Sequence, residues 1–232
     1  MFVFNWMTST PVCINTQDAL LKAEELMKTH QVNQILVQES GKLVGIFSDR
    51  DLRDAKASLV YMSSFQGKTL KDLMEAAPVV SFMTKDPVTL YPTDTLEDAL
   101  SIFNTHRFNG LPVVDEDARP LGILTKTDLL RAFEGVLGVN KNTSRIEVLV
   151  ADKTSDTIRV LEAAKRLGVE VVSLLFEMVR KESPQLVLLL RLATINPLPV
   201  REALEAQGFE ILDIRKYWLE LETFDLDLGY PQ

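Results

Sequence analysis

Hydrophobic and polar residues follow the same pattern in two successive stretches of the chain. In residues 7–52, a short extended segment precedes a helix whose apolar positions recur every three or four residues, and two strands and a second helix follow. Residues 83–129 predict the same order of strand, helix, strand, strand and helix. A pattern repeated over this length indicates a duplicated unit that buries its open face against its twin.

The two stretches also correspond residue by residue. Residues 7–12 align with residues 83–88 at an offset of 76, and both segments have the form Met-Thr-x-x-Pro-Val. Residues 45–52 align with residues 122–129 at an offset of 77, which places one inserted residue in the loop near 115–118. A single inserted loop residue leaves the register of the predicted elements intact.

A third pattern begins after residues 135–142, which are rich in glycine and asparagine. Strands are predicted at 146–150, 169–178, 186–195 and 209–214, and helices at 157–167 and 200–207. The resulting order, β-α-β-β-α-β, is that of a ferredoxin-like sheet with two helices on one face. We therefore expect a separate domain from about residue 143.

The composition is that of an ordinary globular protein, with 46% hydrophobic and 25% charged residues. A net charge of −8 argues against nucleic-acid and anionic-membrane partners, which require a basic surface. The most apolar run, Leu186–Ile195, is shorter than the roughly 20 residues of a spanning helix. The single cysteine, Cys13, fits a reducing compartment, and residues 1–6 lack the basic flank of a signal peptide. We expect a cytoplasmic protein.

Chemistry concentrates where a predicted strand gives way to a helix in each copy. Ser48 and Thr125 lie three residues after a glycine, and Asp51 and Asp128 lie six residues after it. A hydroxyl beside free N–H groups at a helix start suits a phosphate, and a carboxylate one turn on can accept two hydrogen bonds from a ribose diol. Simple helix capping is the alternative for either copy alone. The presence of the same constellation twice favours a nucleotide site.

These residues resemble a known family. The duplicated stretch, residues 1–134, resembles a pair of CBS domains, whose adenosine-phosphate signature is Gly-hydrophobic-x-Ser/Thr-x-x-Asp. The block from Ser144 to Ile214 resembles an ACT domain, and the order CBS, CBS, ACT is similar to that of the acetoin-utilisation regulatory proteins. The implied fold is α/β, a tandem CBS pair (Bateman module) followed by a ferredoxin-like ACT-type domain. The implied parts are CBS domain 1 at 1–58, a linker helix at 59–80, CBS domain 2 at 81–137, an ACT-like domain at 143–215 and an acidic tail at 216–232.

The CBS resemblance implies a role for each matching residue. Asp51 and Asp128 would hold the ribose hydroxyls, and Ser48 and Thr125 would bind phosphate. The rest of the implied nucleotide site is Thr10, Pro11, Val12, Gln34, Ile35, Leu36 and Arg50 in the first copy, and Lys85, Asp86, Pro87, Val88, Gly110, Leu111, Pro112, Lys126 and Thr127 in the second.

The two implied pockets differ in their walls and in their charge. The second copy has the family's Leu-Pro pair at Leu111 and Pro112, whereas the first has Ile35 and Leu36. Arg50 gives the first copy a cation that can grip phosphate in two places, and Thr127 stands at that position in the second. The second pocket therefore has the fuller adenine wall, and the first has the stronger phosphate partner. We expect two pockets of unequal affinity.

Metal and amino-acid ligands are not favoured. His30 and His106 lie near helix ends without a Cys/His cluster, so helix capping explains them better than metal binding. ACT domains that bind amino acids typically carry a glycine in the loop after the first strand, and Ser155 stands there. We therefore expect this block to serve pairing between chains through its sheet edge or its helices.

No nucleophile–base pair, metal cluster or Walker-type loop is visible, so we do not expect an enzyme. The leading hypothesis is a non-catalytic regulatory protein whose CBS pair binds AMP, ADP or ATP and couples occupancy to the ACT-like domain or to a partner. Two alternatives stay open, a structural dimerisation module with empty pockets and a sensor of a dinucleotide or an S-adenosyl ligand such as S-adenosylmethionine. A homodimer is the expected assembly.

Overall fold

The computed structural model describes residues 1–106, 108–139, 142–178 and 186–212, and within these ranges it leaves the side chains of residues 64–66 and 178 undescribed. The chain divides into two compact units, residues 1–132 and 133–232. The acidic tail predicted at 216–232 lies outside the described residues. In the described ranges, no helix has the length and apolarity needed to cross a membrane.

The duplicated pattern of the first unit is present as two copies of the same set of elements. The first copy contains β1 (Cys13–Asn15), α1 (Leu20–His30), β2 (Gln34–Glu39), β3 (Lys42–Ser48) and α2 (Asp49–Gln66). The second contains β4 (Thr84–Lys85), α4 (Leu96–Thr105), β5 (Gly110–Val114), β6 (Pro120–Thr125) and α5 (Lys126–Leu137). Helix α3 (Leu70–Ala76) lies between them in sequence, and short 3-10 turns occupy Val3–Asn5 and Val79–Ser81.

The two copies pair their strands in the same way. In the first, β1 runs parallel to β2, and β2 is antiparallel to β3. In the second, β5 is antiparallel to β6, and Leu90 forms a parallel bridge with Val113 at the place equivalent to the β1–β2 pairing. The register shifts near the end of each hairpin, at Val37 and at Val113. The mixed α/β architecture predicted for this unit is confirmed.

The start of each copy joins the sheet of the other copy. Thr84 of β4 pairs with Ile46 of β3, in the first copy. Reciprocally, Thr8 exchanges two backbone hydrogen bonds with Ile123 of β6, at 2.9 and 3.1 Å. We call residues 1–8 and 77–85 the exchanged arms. They tie the two copies together through backbone hydrogen bonds, which do not depend on side-chain identity.

The core of the first copy follows from the period of its sequence. Strand β2 contributes Ile35 and Val37, and helix α1 contributes an apolar face of Leu20, Ala23 and Met27. Residues 59–80, predicted as a linker helix, comprise the end of α2, helix α3 and part of an arm, and they bury Leu59, Leu73, Met74 and Val79 in the same core. This segment is therefore part of the first copy's packing as well as a connection.

The second unit contains β7 (Ser144–Val150), α6 (Ser155–Arg166), β8 (Val171–Met178), β9 (Leu186–Leu192) and α7 (Leu198–Glu205). The strand order is β7-β9-β8, with antiparallel neighbours, and Ile211 bridges the far side of β7 at Val148. Both helices pack against the sheet, with Val160 and Leu204 fully buried. The predicted β-α-β-β-α order is present. Of the last predicted strand, 209–214, the described part pairs at Ile211, and the ACT assignment stays a prediction.

Candidate functional site

The two predicted phosphate hydroxyls cap the helices that follow them. Ser48 donates its hydroxyl to Asp51 Oδ2 at 2.7 Å, the Ser48 backbone N–H donates to the same oxygen at 2.7 Å, and Asp51 N–H donates to Ser48 Oγ at 3.3 Å. Thr125 and Asp128 make the same three hydrogen bonds at 2.6, 2.9 and 3.2 Å. Each pair is a reciprocal capping box at the start of α2 or α5.

The same capping box occurs at two helices that line neither of the clefts described below. Thr69 and Asp72 cap α3, and Thr95 and Asp98 cap α4, in each case with the hydroxyl donating to the carboxylate at 2.7 and 2.6 Å. The spacing Ser/Thr-x-x-Asp therefore identifies helix starts throughout this unit. What distinguishes Ser48–Asp51 and Thr125–Asp128 is their position beside an open cleft.

Cleft 1, of about 360 Å³, lies beside the start of α2. It is lined by Gln34, Ile46, Ser48, Asp49, Arg50, Asp51 and Arg53 of the first copy, and by Thr84, Asp86, Pro87, Val88, Phe108, Asn109, Gly110, Leu111 and Pro112 of the second. The helix start contributes charge and hydroxyl groups, and the facing wall contributes apolar surface.

Cleft 2, of about 590 Å³, lies beside the start of α5. It is lined by Ile123, Thr125, Lys126, Thr127, Asp128, Arg131 and Asn109 of the second copy, and by Thr8, Thr10, Pro11, Val12, Gln31, Val32, Asn33, Gln34 and Asp49 of the first. Its walls are the pseudosymmetric counterparts of those of cleft 1.

Each cleft thus combines residues of both copies, and this corrects the sequence prediction of one self-contained pocket per copy. Arg50 of the first copy and the Leu111–Pro112 pair of the second line the same cleft. The exchanged arms are the physical reason, because the pairing of Thr84 with β3 carries Asp86–Val88 to the start of α2. Cleft 1 therefore combines the phosphate cation that the sequence comparison assigned to the first pocket with the adenine wall that it assigned to the second.

Three predicted residues line neither cleft. Ile35 and Leu36 are completely buried, and the Leu36 N–H donates to the Val12 carbonyl at 2.9 Å. Their side chains are enclosed in the protein interior, and the assignment of Ile35 and Leu36 to an adenine wall stays a prediction. Lys85 is exposed and pairs with Gly45 in the sheet.

Sequence reasoning also missed residues that both clefts share. Asp49 and Asn109 line both clefts. The carbonyl of Asn109 accepts the first N–H of α5, from Lys126, at 3.2 Å, and Asn33 accepts that of α2, from Asp49, at 2.9 Å. The available signal was that Asp49 lies within the duplicated motif and that Asn33 and Asn109 end a second repeated segment, Thr-His-x-x-Asn. Arg53 and Arg131 were missed too, although Arg53 follows Asp51 by two residues and Arg131 follows Asp128 by three.

Arg50 is the cation of cleft 1 that is free to meet a ligand. Arg53 is already held by Asp49, whose carboxylate lies 3.1 Å from Arg53 Nη2 and whose carbonyl accepts from Nε at 3.3 Å. Within the described ranges, no ion pair or hydrogen bond involves the Arg50 guanidinium or the second carboxylate oxygen, Oδ1, of Asp51. Cleft 1 therefore offers a guanidinium and a carboxylate oxygen that capping does not use.

In cleft 2 the corresponding groups already have partners. Arg131 Nη1 lies 3.3 Å from Asp128 Oδ1, the carboxylate oxygen that takes no part in the capping box. The Lys126 ammonium lies 5.7 Å from the centre of the Phe103 ring, within cation–π range. A ligand in cleft 2 would compete with the exposed Arg131 for Asp128 or bind beside both.

The Cys13 thiol and the His106 ring each have a neighbour within this unit. Burial raises the pKa of the Cys13 thiol, which donates to the Pro11 carbonyl at 3.6 Å. The His106 ring stacks on Phe108 with ring centres 4.9 Å apart. Over the described part of the chain, no group of three or more His, Cys, Asp or Glu residues is placed to hold a metal ion.

Known proteins match the same part of the chain. The family model described as CBS domain matches residues 3–58 and 79–135. Homoserine O-acetyltransferase of Methanocorpusculum labreanum is 34% identical over 130 residues, which are 56% of this chain and 23% of that protein. The crystal structure of protein MJ1225 from Methanocaldococcus jannaschii has a TM-score of 0.50 at 24% identity, covering 57% of this chain and 47% of the other. The structure of CBSX2 in complex with AMP has a TM-score of 0.47 at 28% identity, covering 57% and 95%.

The likeness to MJ1225 shows the fold alone. The chain spans about a quarter to a third of the length of the curated relatives it matches.

Proposed function

Because residues 3–58 and 79–135 form a tandem pair of CBS domains, we propose that the chain is a non-catalytic regulatory protein that binds AMP, ADP or ATP in clefts 1 and 2. The observation that carries the proposal is the composition of cleft 1. Arg50, Asp51, Leu111 and Pro112 all line this one cleft, so it holds a cation for a phosphate, a carboxylate for a ribose and an apolar wall for an adenine.

The phosphate end of the proposed site is the start of α2. Asp49 N–H donates to Asn33 and Asp51 N–H donates to Ser48, so the N–H of Arg50 is the donor left for a phosphate oxygen in that turn. A helix start favours an anion through its free N–H groups and its dipole. The Arg50 guanidinium adds charge-assisted hydrogen bonds.

The ribose end is Asp51, whose Oδ1 can accept from a ribose hydroxyl while Oδ2 continues to cap α2. The adenine would lie between Pro87 and Val88 on one side and Leu111 and Pro112 on the other. The cleft volumes of 360 and 590 Å³ are within the range of about 300–1,000 Å³ common for small-molecule sites.

Regulation follows if occupancy changes the balance between two arrangements of the protein. A ligand shifts such a balance only by its difference in affinity for the two states. We propose that the arms that carry Thr10–Val12 and Asp86–Val88 are ordered by the ligand, and that the ACT-like unit or a partner protein responds. A homodimer remains the predicted assembly.

The direct test is calorimetric titration with AMP, ADP and ATP. Asp51→Ala and Asp128→Ala should each weaken binding at their own cleft by about 1–3 kcal/mol, through loss of the charge-assisted ribose contact. Asp98→Ala is the matched control, because it breaks the same kind of capping box away from both clefts. If none of the three nucleotides binds at millimolar concentration, the proposal fails.

A second candidate is an interaction module whose clefts stay empty. It is favoured by the capping boxes, since Ser48 with Asp51 and Thr125 with Asp128 are complete without a ligand. An unchanged melting temperature with every nucleotide, together with a stable oligomer by light scattering, would support this candidate. Parallel titrations with S-adenosylmethionine and a dinucleotide decide whether another adenosyl ligand replaces AMP.

A further inference from the structure

Gln34 and Gly110 hold equivalent positions in the two copies, and they are in contact. Gln34 is paired with Ser48 across β2 and β3, and Gly110 is paired with Thr125 across β5 and β6. A Cβ atom on Gly110 would overlap Gln34 Oε1. The pseudosymmetry is therefore broken at this point, because the Gln34 amide occupies space that any side chain at position 110 would fill.

This contact joins a residue that lines both clefts to a residue that lines cleft 1. Gln34, Asp49 and Asn109 line both clefts, whereas Gly110 lines cleft 1 and not cleft 2. The amide end of Gln34 thus rests on a wall of cleft 1, next to the proposed adenine wall of Leu111 and Pro112. Cleft 1 is also the smaller cleft, at 360 against 590 Å³.

The Gln34 amide is free to turn. Glutamine has a flexible, unbranched side chain with two donor hydrogens and an acceptor oxygen at its end. In the part of the chain that the structure describes, the Gln34 side chain makes no hydrogen bond that would hold it against Gly110. Gln34 also lines cleft 2, which offers space to an amide that leaves Gly110.

We infer that Gln34 makes occupancy of the two clefts antagonistic, an inference that rests on the proposed nucleotide binding. A ligand that fills cleft 1 displaces the amide from Gly110 towards cleft 2, and a ligand in cleft 2 blocks that displacement. Filling either cleft therefore weakens binding at the other by the same factor, because coupling between two sites is reciprocal. One neutral side chain then sets how many nucleotides a chain holds at a given concentration.

The experiment measures AMP binding by calorimetry, with native mass spectrometry to count bound molecules. Asp128→Ala weakens cleft 2 and Asp51→Ala weakens cleft 1. Titration at AMP concentrations below the dissociation constant of the weakened cleft then gives the affinity of each intact cleft with the other cleft empty. In the unaltered protein the second AMP should bind at least about fivefold more weakly than the corresponding single-cleft variant predicts, the lower end of typical coupling. In Gln34→Ala the two sites should become independent.

Two further variants provide a control and a second test. Gln38→Ala, on the same strand but lining neither cleft, should leave the antagonism unchanged. Gly110→Ala should push the amide towards cleft 2 and so weaken AMP binding in the Asp51→Ala background, with circular dichroism confirming the fold. The inference is overturned if the second AMP binds the unaltered protein as tightly as the single-cleft variants, or if Gln34→Ala retains the antagonism. Absence of AMP, ADP and ATP binding to the unaltered protein instead defeats the proposed function itself.

Discussion

Gly45 lies so close to Met83 that a Cβ atom on Gly45 would overlap the Met83 sulfur and would lie 2.9 Å from the Thr84 carbonyl oxygen. Gly122 has the same relationship to Met7 and Thr8, at 2.7 and 2.8 Å. The glycine of the duplicated motif is thus required by the exchanged arm of the other copy. Its role is close backbone packing, and it precedes the hydroxyl and carboxylate without contacting them.

Gly45→Ala should lower the free energy of unfolding by about 1–3 kcal/mol, the usual effect of inserting a methyl group into a closely packed site. Urea denaturation measures the change, and Gly122→Ala should behave alike. Met83 packs against the core, so Met83→Ala should itself be destabilising. Combining it with Gly45→Ala removes the sulfur overlap but not the overlap with the Thr84 carbonyl, so the double variant should lose less stability than the sum of the two single variants. A change below about 0.5 kcal/mol for Gly45→Ala would contradict the close contact.

The exchange of arms shows where sequence patterns stop being informative about this fold. The apolar face of α1 and the buried run of β2 arise from local periodicity, and both elements are where that periodicity predicts them. The pairing of Thr84 with β3 instead of its own copy's strands is a long-range choice. Local periodicity is the same for either pairing, since backbone hydrogen bonds form whichever strand is adjacent.

In the candidate site, too, local motifs could be predicted from the sequence and long-range contacts could not. Ser48, Asp51 and their counterparts could be found because a glycine, a hydroxyl and a carboxylate recur at fixed spacing. Their partners across the cleft could not, because aligning the copies places Arg50 and Leu111 in different pockets, whereas the folded chain places them in one. Gln34 was predicted to lie beside a nucleotide, but its contact with Gly110 depends on the two copies meeting face to face.

Glu24 joins helices α1 and α2 and should make stability depend on pH. Its carboxylate pairs with Lys28 on α1 and lies 2.9 Å from Lys56 on α2. The hydrogen bond from Lys28 is the largest influence on the Glu24 pKa and lowers it. Burial opposes this effect, and Lys56 adds to it.

A pKa lowered in the folded state stabilises the fold above the unfolded value, about 4.3 for glutamate, and this stability is lost as the pH falls through the folded pKa. Glu24→Gln should therefore lower the melting temperature at pH 7, and the difference from the unaltered protein should shrink as the pH falls from about 5 towards 3. Glu25→Gln is the control, since Glu25 is exposed and none of the described ion pairs includes it. A difference that is constant across this pH range would show that the Glu24 charge is not responsible.

Arg50 should distinguish nucleotides by their phosphate and not by their base. In the Asp128→Ala background, which weakens binding at cleft 2, Arg50→Gln should weaken AMP binding at cleft 1 about tenfold or more, because hydrogen bonds to charged groups contribute roughly 1.5–3 kcal/mol. Adenosine, which lacks the phosphate, should bind both proteins equally.

Arg53→Gln is the matched control on the same helix, and its effect should be smaller because Asp49 already holds that guanidinium. Calorimetry with both ligands checks the difference, and equal losses for AMP and adenosine would mean that Arg50 shapes the cleft without contacting phosphate.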